Sequence, residues 1–213
     1  MLSFLVTINP VSYLRYLEET IINHGGFFVK RTVDDIFDVI DDKTEVVINC
    51  LGLEARRVVS YIEKDKIYPI KGQLVIAELP RLNTCFYLHY HDKPKYPTYV
   101  VPRSDGTVAL GGTRWKNHWS TEIDDRVTEE IITNCQKLIP MLKKEHVIET
   151  TVGLRPARNE GIHLASEYLV SEKNKRKIFL VSNYGHGGTG YQTSYACALE
   201  VLEMIINNIH FKH

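Results

Sequence analysis

The chain reads as a mixed α/β protein in which a parallel, doubly wound part is interleaved with an antiparallel sheet. Three observations carry this. A strand–helix–strand–helix–strand rhythm runs from Leu2 to Cys50. A group of short strands with a hairpin signal comes after Tyr68. Near the end, the apolar run from Lys177 to Ser182 feeds a glycine-rich turn, Gly185 to Gly190, with helix-like residues behind it. Alternating strands and helices pair in parallel, whereas consecutive strands joined by tight turns pair antiparallel.

Leu2 to Ile8 has strand character and leads into Asn9-Pro10, an N-cap followed by proline at the first helical position. Val11, Leu14, Leu17 and Ile21 keep helical spacing, and Gly25-Gly26 stop the helix. Phe27 to Lys30 reads as a short strand, Thr32 to Ile40 as a brief amphipathic helix, and Glu45 to Cys50 as a buried strand. Gln73 to Leu79, Thr84 to Tyr90, Thr98 to Val101 and Thr107 to Leu110 are the antiparallel candidates, with Arg103-Ser104-Asp105-Gly106 as a hairpin turn. Val127, Ile131, Cys135, Leu138 and Leu142 predict a helix over 124–142. Val147 to Leu154 returns as a strand before Arg155-Pro156-Ala157-Arg158. The division this predicts is 1–67 with 146–213 as one layer and 68–145 as the other.

With 44% hydrophobic and 24% charged residues the chain is globular rather than disordered. Lys and Arg number 26, as do Asp and Glu, so no global field points to nucleic acid or an anionic membrane. No apolar run approaches the ~20 residues of a membrane span. Cys50, Cys85, Cys135 and Cys197 are widely spaced and read as reduced thiols. The histidines show no paired metal-ligand spacing, so no metal is expected. The basic run Lys173 to Lys177 is a solvated loop.

Gly185, Gly187 and Gly190 match G-x-G-x-x-G, but a dinucleotide site needs a return strand and an acidic residue further on. Only the closing helix comes after Gly190. The turn is therefore expected to touch a cofactor whose main nucleotide fold lies elsewhere, through backbone N–H groups and a helix N-terminus.

Six segments, in order, resemble the D-amino-acid oxidase family of flavoproteins. They are Val47-Ile48-Asn49-Cys50-Leu51-Gly52, Lys71-Gly72-Gln73, Tyr99-Val100-Val101-Pro102, Leu110-Gly111-Gly112-Thr113-Arg114, Gly153-Leu154-Arg155-Pro156-Ala157-Arg158 and Asn183-Tyr184-Gly185-His186-Gly187-Gly188. Cys197-Ala198-Leu199-Glu200 also fits. Leu-Gly-Gly-Thr-Arg followed by Lys116 and Trp119 looks like the D-aspartate oxidase branch. The family opens with a βαβ unit that holds the pyrophosphate of FAD, and nothing in this chain resembles it. The chain is thus expected to be a fragment or short product, or to lack that element.

The resemblance implies oxidative deamination of a small D-amino acid, with hydride passing to FAD and oxygen reoxidising it to give hydrogen peroxide. Arg155 would bind the α-carboxylate, for which a planar two-donor fork is suited. Tyr99 would donate its hydroxyl to the same group, and Gly188 would border the substrate. Arg114, after a glycine pair that admits a close neighbour, would pair with the side-chain carboxylate of D-aspartate or D-glutamate. His186, Gly187, Gly188, Gly190, Tyr191 and Gln192 would line the flavin, with Thr32, Leu51 and Gly52 near its adenosine half. No residue is required as an acid or base, and His186 reads as a cofactor contact. Arg158 reads as structural. Tyr96 is a candidate lid residue, and Lys93 and Lys95 stand where acidic-substrate members carry an arginine. The family is largely peroxisomal, although Phe211-Lys212-His213 is not the peroxisomal tripeptide. Two other readings stay open. One is a flavin amine oxidase acting on glycine or sarcosine, against which Arg114 speaks. The other is a non-catalytic remnant that binds FAD weakly or not at all.

Overall fold

The computed structural model describes residues 7–88, 97–170 and 175–208. The chain divides into two compact units: one of residues to Phe28 with Ile70–Leu154, the other of Val29–Pro69 with Arg155 onward. The sequence pattern assigns residues 1–28 and 146–154 to the other layer, whereas here they group with the antiparallel sheet. Asn9, at the head of the first helix, donates from its side chain to Asp105 in the hairpin turn, at 2.7 Å.

In the first unit, α1 (Pro10–Asn23) begins as its sequence predicts. The Asn9 side chain accepts from the Val11 and Ser12 amides, and the chain leaves the helix through Gly25 at φ +85°. Its apolar residues do not form a core: none is buried. The sheet runs β3-β4-β5-β2-β6, where β2 is Ile67–Glu78, β3 Phe86–Leu88, β4 Thr98–Pro102, β5 Thr107–Gly111 and β6 Trp115–Lys116. Neighbours on this path are antiparallel. A further strand, β7 (Val147–Arg158), pairs with β2 beside it. Arg103 to Gly106 makes the expected hairpin, with Arg103 N–H donating to the Thr107 carbonyl at 2.8 Å.

α3 (Asp125–Leu138), capped by Asp124, lays Val127, Ile131, Ile132 and Cys135 against Val75, Val100, Val108 and Leu110. Among the described residues this is the largest apolar cluster, and each such side chain contributes about 1.5–3 kcal/mol on burial. Burial also pushes the Cys135 thiol up to about 12, so it is a packing residue.

The second unit holds a three-stranded sheet, β1-β9-β8: β1 is Val46–Asn49, β8 His163–Val170 and β9 Lys177–Tyr184. β1 lies parallel to β9, and β8 antiparallel to it. Between β1 and β2 lies the one-turn helix α2 (Tyr61–Lys64), capped by the Ser60 side chain. α4 (Gly190–Asn208) sets Val201 against Phe179 and Val181. Arg176 ties the start of β9 to the turn before β1 through the carbonyls of Asp41, Asp42 and Thr44.

Several expectations fail for one physical reason, namely that a strand or helix needs a partner. Phe27 to Lys30 is not a strand; Phe27 and Val29 are 83% and 69% exposed. The segment 32–40 yields only a short 3-10 turn, Ile36–Val39, burying Ile36. Thr7 and Ile8 are in no strand, and the rest of that expected strand lies outside the described residues. So do His89 and Tyr90 at the end of the predicted strand Thr84 to Tyr90, Lys93, Lys95 and Tyr96, and Lys173 and Asn174 of the basic run. The rest of that run is no free loop, since Arg176 bonds to three main-chain carbonyls and Lys177 opens β9. The pattern does not predict β8, because its alternation carries Ser166 and Glu167 at its centre and faces largely outward.

Candidate active site

The candidate residues are built on two kinds of joint, one in each unit. In the second unit, β9 ends at Tyr184, and the chain reverses through Gly185 (φ +87°) and Gly187 (φ +57°) before α4. Side chains rarely adopt these angles. Gly185 is tight as well: a Cβ there would meet Arg158 Cβ at 2.8 Å and the Gly161 carbonyl at 3.3 Å. The turn is stitched to the end of β7. Ala157 and His186 form an isolated antiparallel bridge, and Gly187 N–H donates to the Pro156 carbonyl at 2.6 Å. A Cβ on Gly188 would lie 3.8 Å from Arg155 Cδ, so Arg155 and the turn are neighbours.

A group that no sequence motif singles out holds this joint. Glu63 accepts from Arg158 Nε at 2.5 Å and from a terminal nitrogen of the same guanidinium at 3.1 Å. Tyr184, the last residue of β9, donates its hydroxyl to Glu63 at 3.3 Å. The two charged side chains are 15% and 6% exposed. Lys66 and Glu160 extend the network to the surface. The Arg158 guanidinium holds the Glu63 carboxyl below its usual range, and burial pushes the Tyr184 phenol up. Arg158, read from the sequence as structural or solvent-facing, is here engaged in a buried ion pair. The only sequence trace of Glu63 is a capping pattern, since Ser60 accepts from its amide. Nothing in that spacing names Arg158.

The turn also suits a flat group that gathers negative charge. Gly188 is exposed, the first turn of α4 has no acidic residue, and that helix end carries partial positive charge. The Oδ1 of Asn183, just before the turn, is buried without a hydrogen-bond partner. Burial lowers the basicity of His186, which keeps its ring neutral at physiological pH. Tyr191 and Gln192 are exposed on the first turn of α4. Gly52, at φ +60°, starts a 3-10 turn directly after β1 and packs on Pro156, and Thr32 is an exposed residue of irregular chain. The exposed glycine turn and the start of α4 leave room for a planar ring, while for Thr32 and Gly52 the flavin role rests on the resemblance alone.

In the first unit, Tyr99 on β4 stands opposite Gly111 on β5. The glycine pair does admit a close neighbour, but that neighbour is protein. A Cβ on Gly111 would fall 1.8 Å from the Tyr99 ring, and one on Gly112 2.8 Å from the Gln73 carbonyl. Replacing Gly111 by Ala is expected to destabilise this unit by about 1–3 kcal/mol or more, read as a lower thermal midpoint.

The Lys71-Gly72-Gln73 segment fixes the loop that leaves the glycine pair. Gln73, fully buried, donates to the Asp124 carbonyl and the Thr128 hydroxyl and accepts from the Asp124 amide. Its own amide donates to the Thr113 hydroxyl. These bonds pin the loop from Thr113 to Asp124 against β2. The loop shapes an open cavity of about 1190 Å³ that Arg114 lines together with Lys71, Trp115 and Lys116. Tyr99 does not line it. Tyr99 and Arg114 therefore belong to the first unit, and Arg155, Gly188 and the flavin candidates to the second. Among the described residues, no group of three or more His, Cys, Asp or Glu is placed to hold a metal, and no helix is long and apolar enough to cross a membrane.

The chain resembles known proteins along nearly its whole length. It is 35% identical over 189 residues to a D-amino-acid oxidase of Rubrobacter xylanophilus, covering 89% of this chain and 54% of that one. It is 31% identical over 199 residues to the D-aspartate oxidase of Homo sapiens, covering 93% and 54%. Among solved structures, a glycine oxidase from Bacillus cereus superposes with a TM-score of 0.62 at 20% identity, over 78% of this chain and 44% of that one, a likeness of fold. The chain spans about half the length of the curated relatives it matches. Residues 5–204 match the model of the DAO family, the FAD-dependent oxidoreductases, and the chain belongs to that family.

Proposed function

We propose that this chain supplies the substrate-binding and flavin-facing parts of an FAD-dependent oxidase of D-amino acids, with acidic D-amino acids preferred. The observation that carries the proposal is the joint in the second unit, where Arg155 sits beside an exposed glycine turn at the positive end of α4. An arginine fork suits an α-carboxylate, and a glycine turn lets a planar ring approach the backbone. FAD, when bound, takes the Cα hydride of the substrate and passes the electrons to oxygen, giving hydrogen peroxide. Arg155, beside Gly188, would orient the substrate by its carboxylate, a role that the resemblance alone extends to Tyr99. Arg114 would pair with a side-chain carboxylate and leave neutral side chains disfavoured. The turn amides and the end of α4 would stabilise charge gathered on the reduced ring. Hydride transfer from a neutral amine needs no protein base, which agrees with a His186 that is a contact only. The family resemblance supports the peroxisome as compartment, with the cytoplasm as the alternative.

A second reading has its own support. Tyr195, Leu199, Leu202 and Ile206 form an exposed stripe along α4, from 46% to 72% exposed, and Ile48 on β1 is 45% exposed. Apolar surface of this kind suits a chain that binds FAD weakly or not at all by itself. One experiment separates the two. The purified chain is mixed with FAD, freed of excess, and treated anaerobically with D-aspartate or D-alanine. A bound flavin spectrum that bleaches with D-aspartate and far more slowly with D-alanine is expected. Retention of no flavin favours the second reading, and bleaching by D-alanine alone would sink the acidic preference.

A further inference from the structure

We infer that Lys71 is a second specificity-determining cation, acting with Arg114 on the side-chain carboxylate of an acidic substrate. This rests on the acidic-substrate reading above and adds a residue that reading did not contain. Lys71 and Arg114 line one cavity of about 1190 Å³, Arg114 as an exposed residue and Lys71 as a buried one, 3% exposed. An ammonium withdrawn from water costs several kcal/mol unless its donors are met and its charge is balanced. Lys71 has three N–H donors. One reaches the Glu122 main-chain carbonyl at 2.6 Å, and the charge lies 5.5 Å from the centre of the Trp115 ring. Neither supplies a full negative charge. Among the described residues, no carboxylate forms an ion pair with Lys71 or Arg114.

The acidic residues on the cavity wall have other work. Asp124 caps α3, its side chain accepting from the Arg126 and Val127 amides. Asp125 sits in the first turn of α3, where the helix end favours it. Glu122 meets Lys71 through its main chain. Lys116 and Arg126 add positive charge to the same wall, and His118 packs against Trp115 with ring centres 5.6 Å apart. A carboxylate entering the cavity would balance the buried ammonium and be held at the outer side by Arg114. A neutral side chain would leave both cations as they are.

The test uses tryptophan emission, from Trp115 in the cavity and from Trp119, which needs no flavin. D-aspartate is titrated into the unaltered chain and into Lys71→Gln, at constant ionic strength and with D-alanine as control. Glutamine removes the charge and keeps an N–H donor on a stem one atom shorter, so far-ultraviolet dichroism is recorded beside it. A saturable response to D-aspartate is expected in the unaltered chain, with the dissociation constant raised about tenfold or more in Lys71→Gln, the low end of charge-pair coupling because Arg114 remains. Lys71→Arg should restore binding. With flavin bound, the kcat/KM ratio of D-aspartate to D-alanine should fall by a similar factor in Lys71→Gln. No saturable response in the unaltered chain, or unchanged affinity in Lys71→Gln with native far-ultraviolet dichroism, overturns the inference about Lys71. Failure of D-aspartate to reduce bound flavin in the unaltered chain instead defeats the acidic-oxidase reading itself.

Discussion

Replacing Arg155 by Met is expected to lower kcat/KM for D-amino acids by about 30- to 4,000-fold, the range set by losing a charge-assisted partner worth about 2–5 kcal/mol. Met matches the length of the stem and removes the fork, so packing beside Gly188 is kept while the carboxylate loses its two donors. Arg155→Lys should recover only a small part, because an ammonium is a point charge and cannot present parallel N–H groups. The loss should fall on substrates and on carboxylate inhibitors alike. Binding of a simple carboxylate, followed by its perturbation of the flavin spectrum, should weaken in parallel with kcat/KM. An Arg155→Met variant that keeps the affinity for carboxylates would remove this residue from the substrate site, and another guanidinium would have to be sought.

Replacing Glu63 by Ala should be the most damaging single change to the stability of the second unit. It leaves the Arg158 guanidinium, 6% exposed, without its bidentate partner. Breaking a buried ion pair costs about 3–5 kcal/mol, of which the remaining Glu160 contact at 3.0 Å offsets a part. Chemical denaturation with a probe in the second unit should report it. Glu63→Gln should cost less, since the amide oxygen still accepts from Arg158 and Tyr184. Glu160→Gln, on the exposed end of the network, should change little.

The network also sets a pH dependence. The Arg158 guanidinium lowers the folded-state pKa of Glu63. Its stabilisation is therefore present above the unfolded glutamate value of about 4.3 and is lost as pH falls through the lower folded value. Burial lowers the folded-state pKa of His163, which packs on Tyr184 at 5.0 Å, so the folded state resists its protonation and stability begins to fall below about pH 6.5. The stability gap between the unaltered chain and Glu63→Gln should close in acid, on the Glu63 part alone. A gap that is constant from neutral to strongly acidic pH would show that the Glu63 charge does not carry the stabilisation.

Local grammar is legible in the residues themselves. Asn9-Pro10 starts α1 and Gly25 ends it, because an N-cap oxygen and a positive-φ glycine act within one turn of chain. The hairpin at Arg103 to Gly106, the face of α3 and the glycine turn before α4 obey the same short-range rules. Phe27 to Lys30 marks the limit of those rules. Its composition suits a strand, but a strand exists only against a neighbour, and none of the described strands pairs with it.

The candidate site divides the same way. Residue types that suit a carboxylate or a flavin, such as Arg155, Tyr99 and the Gly187-Gly188 pair, can be picked out from motif order. Two pairings cannot. Glu63 lies 95 positions from Arg158 in the chain, and Lys71 lies 51 from Glu122. The α/β class, the caps and turns, and the side chains with useful chemistry are all readable from residue order, because they depend on interactions within a few positions. Three facts became visible only in the folded chain: Gly111 makes room for Tyr99, Arg158 is locked to Glu63, and a buried Lys71 shares a cavity with Arg114. They depend on which distant segments meet in space and exclude water, and no local pattern encodes that meeting.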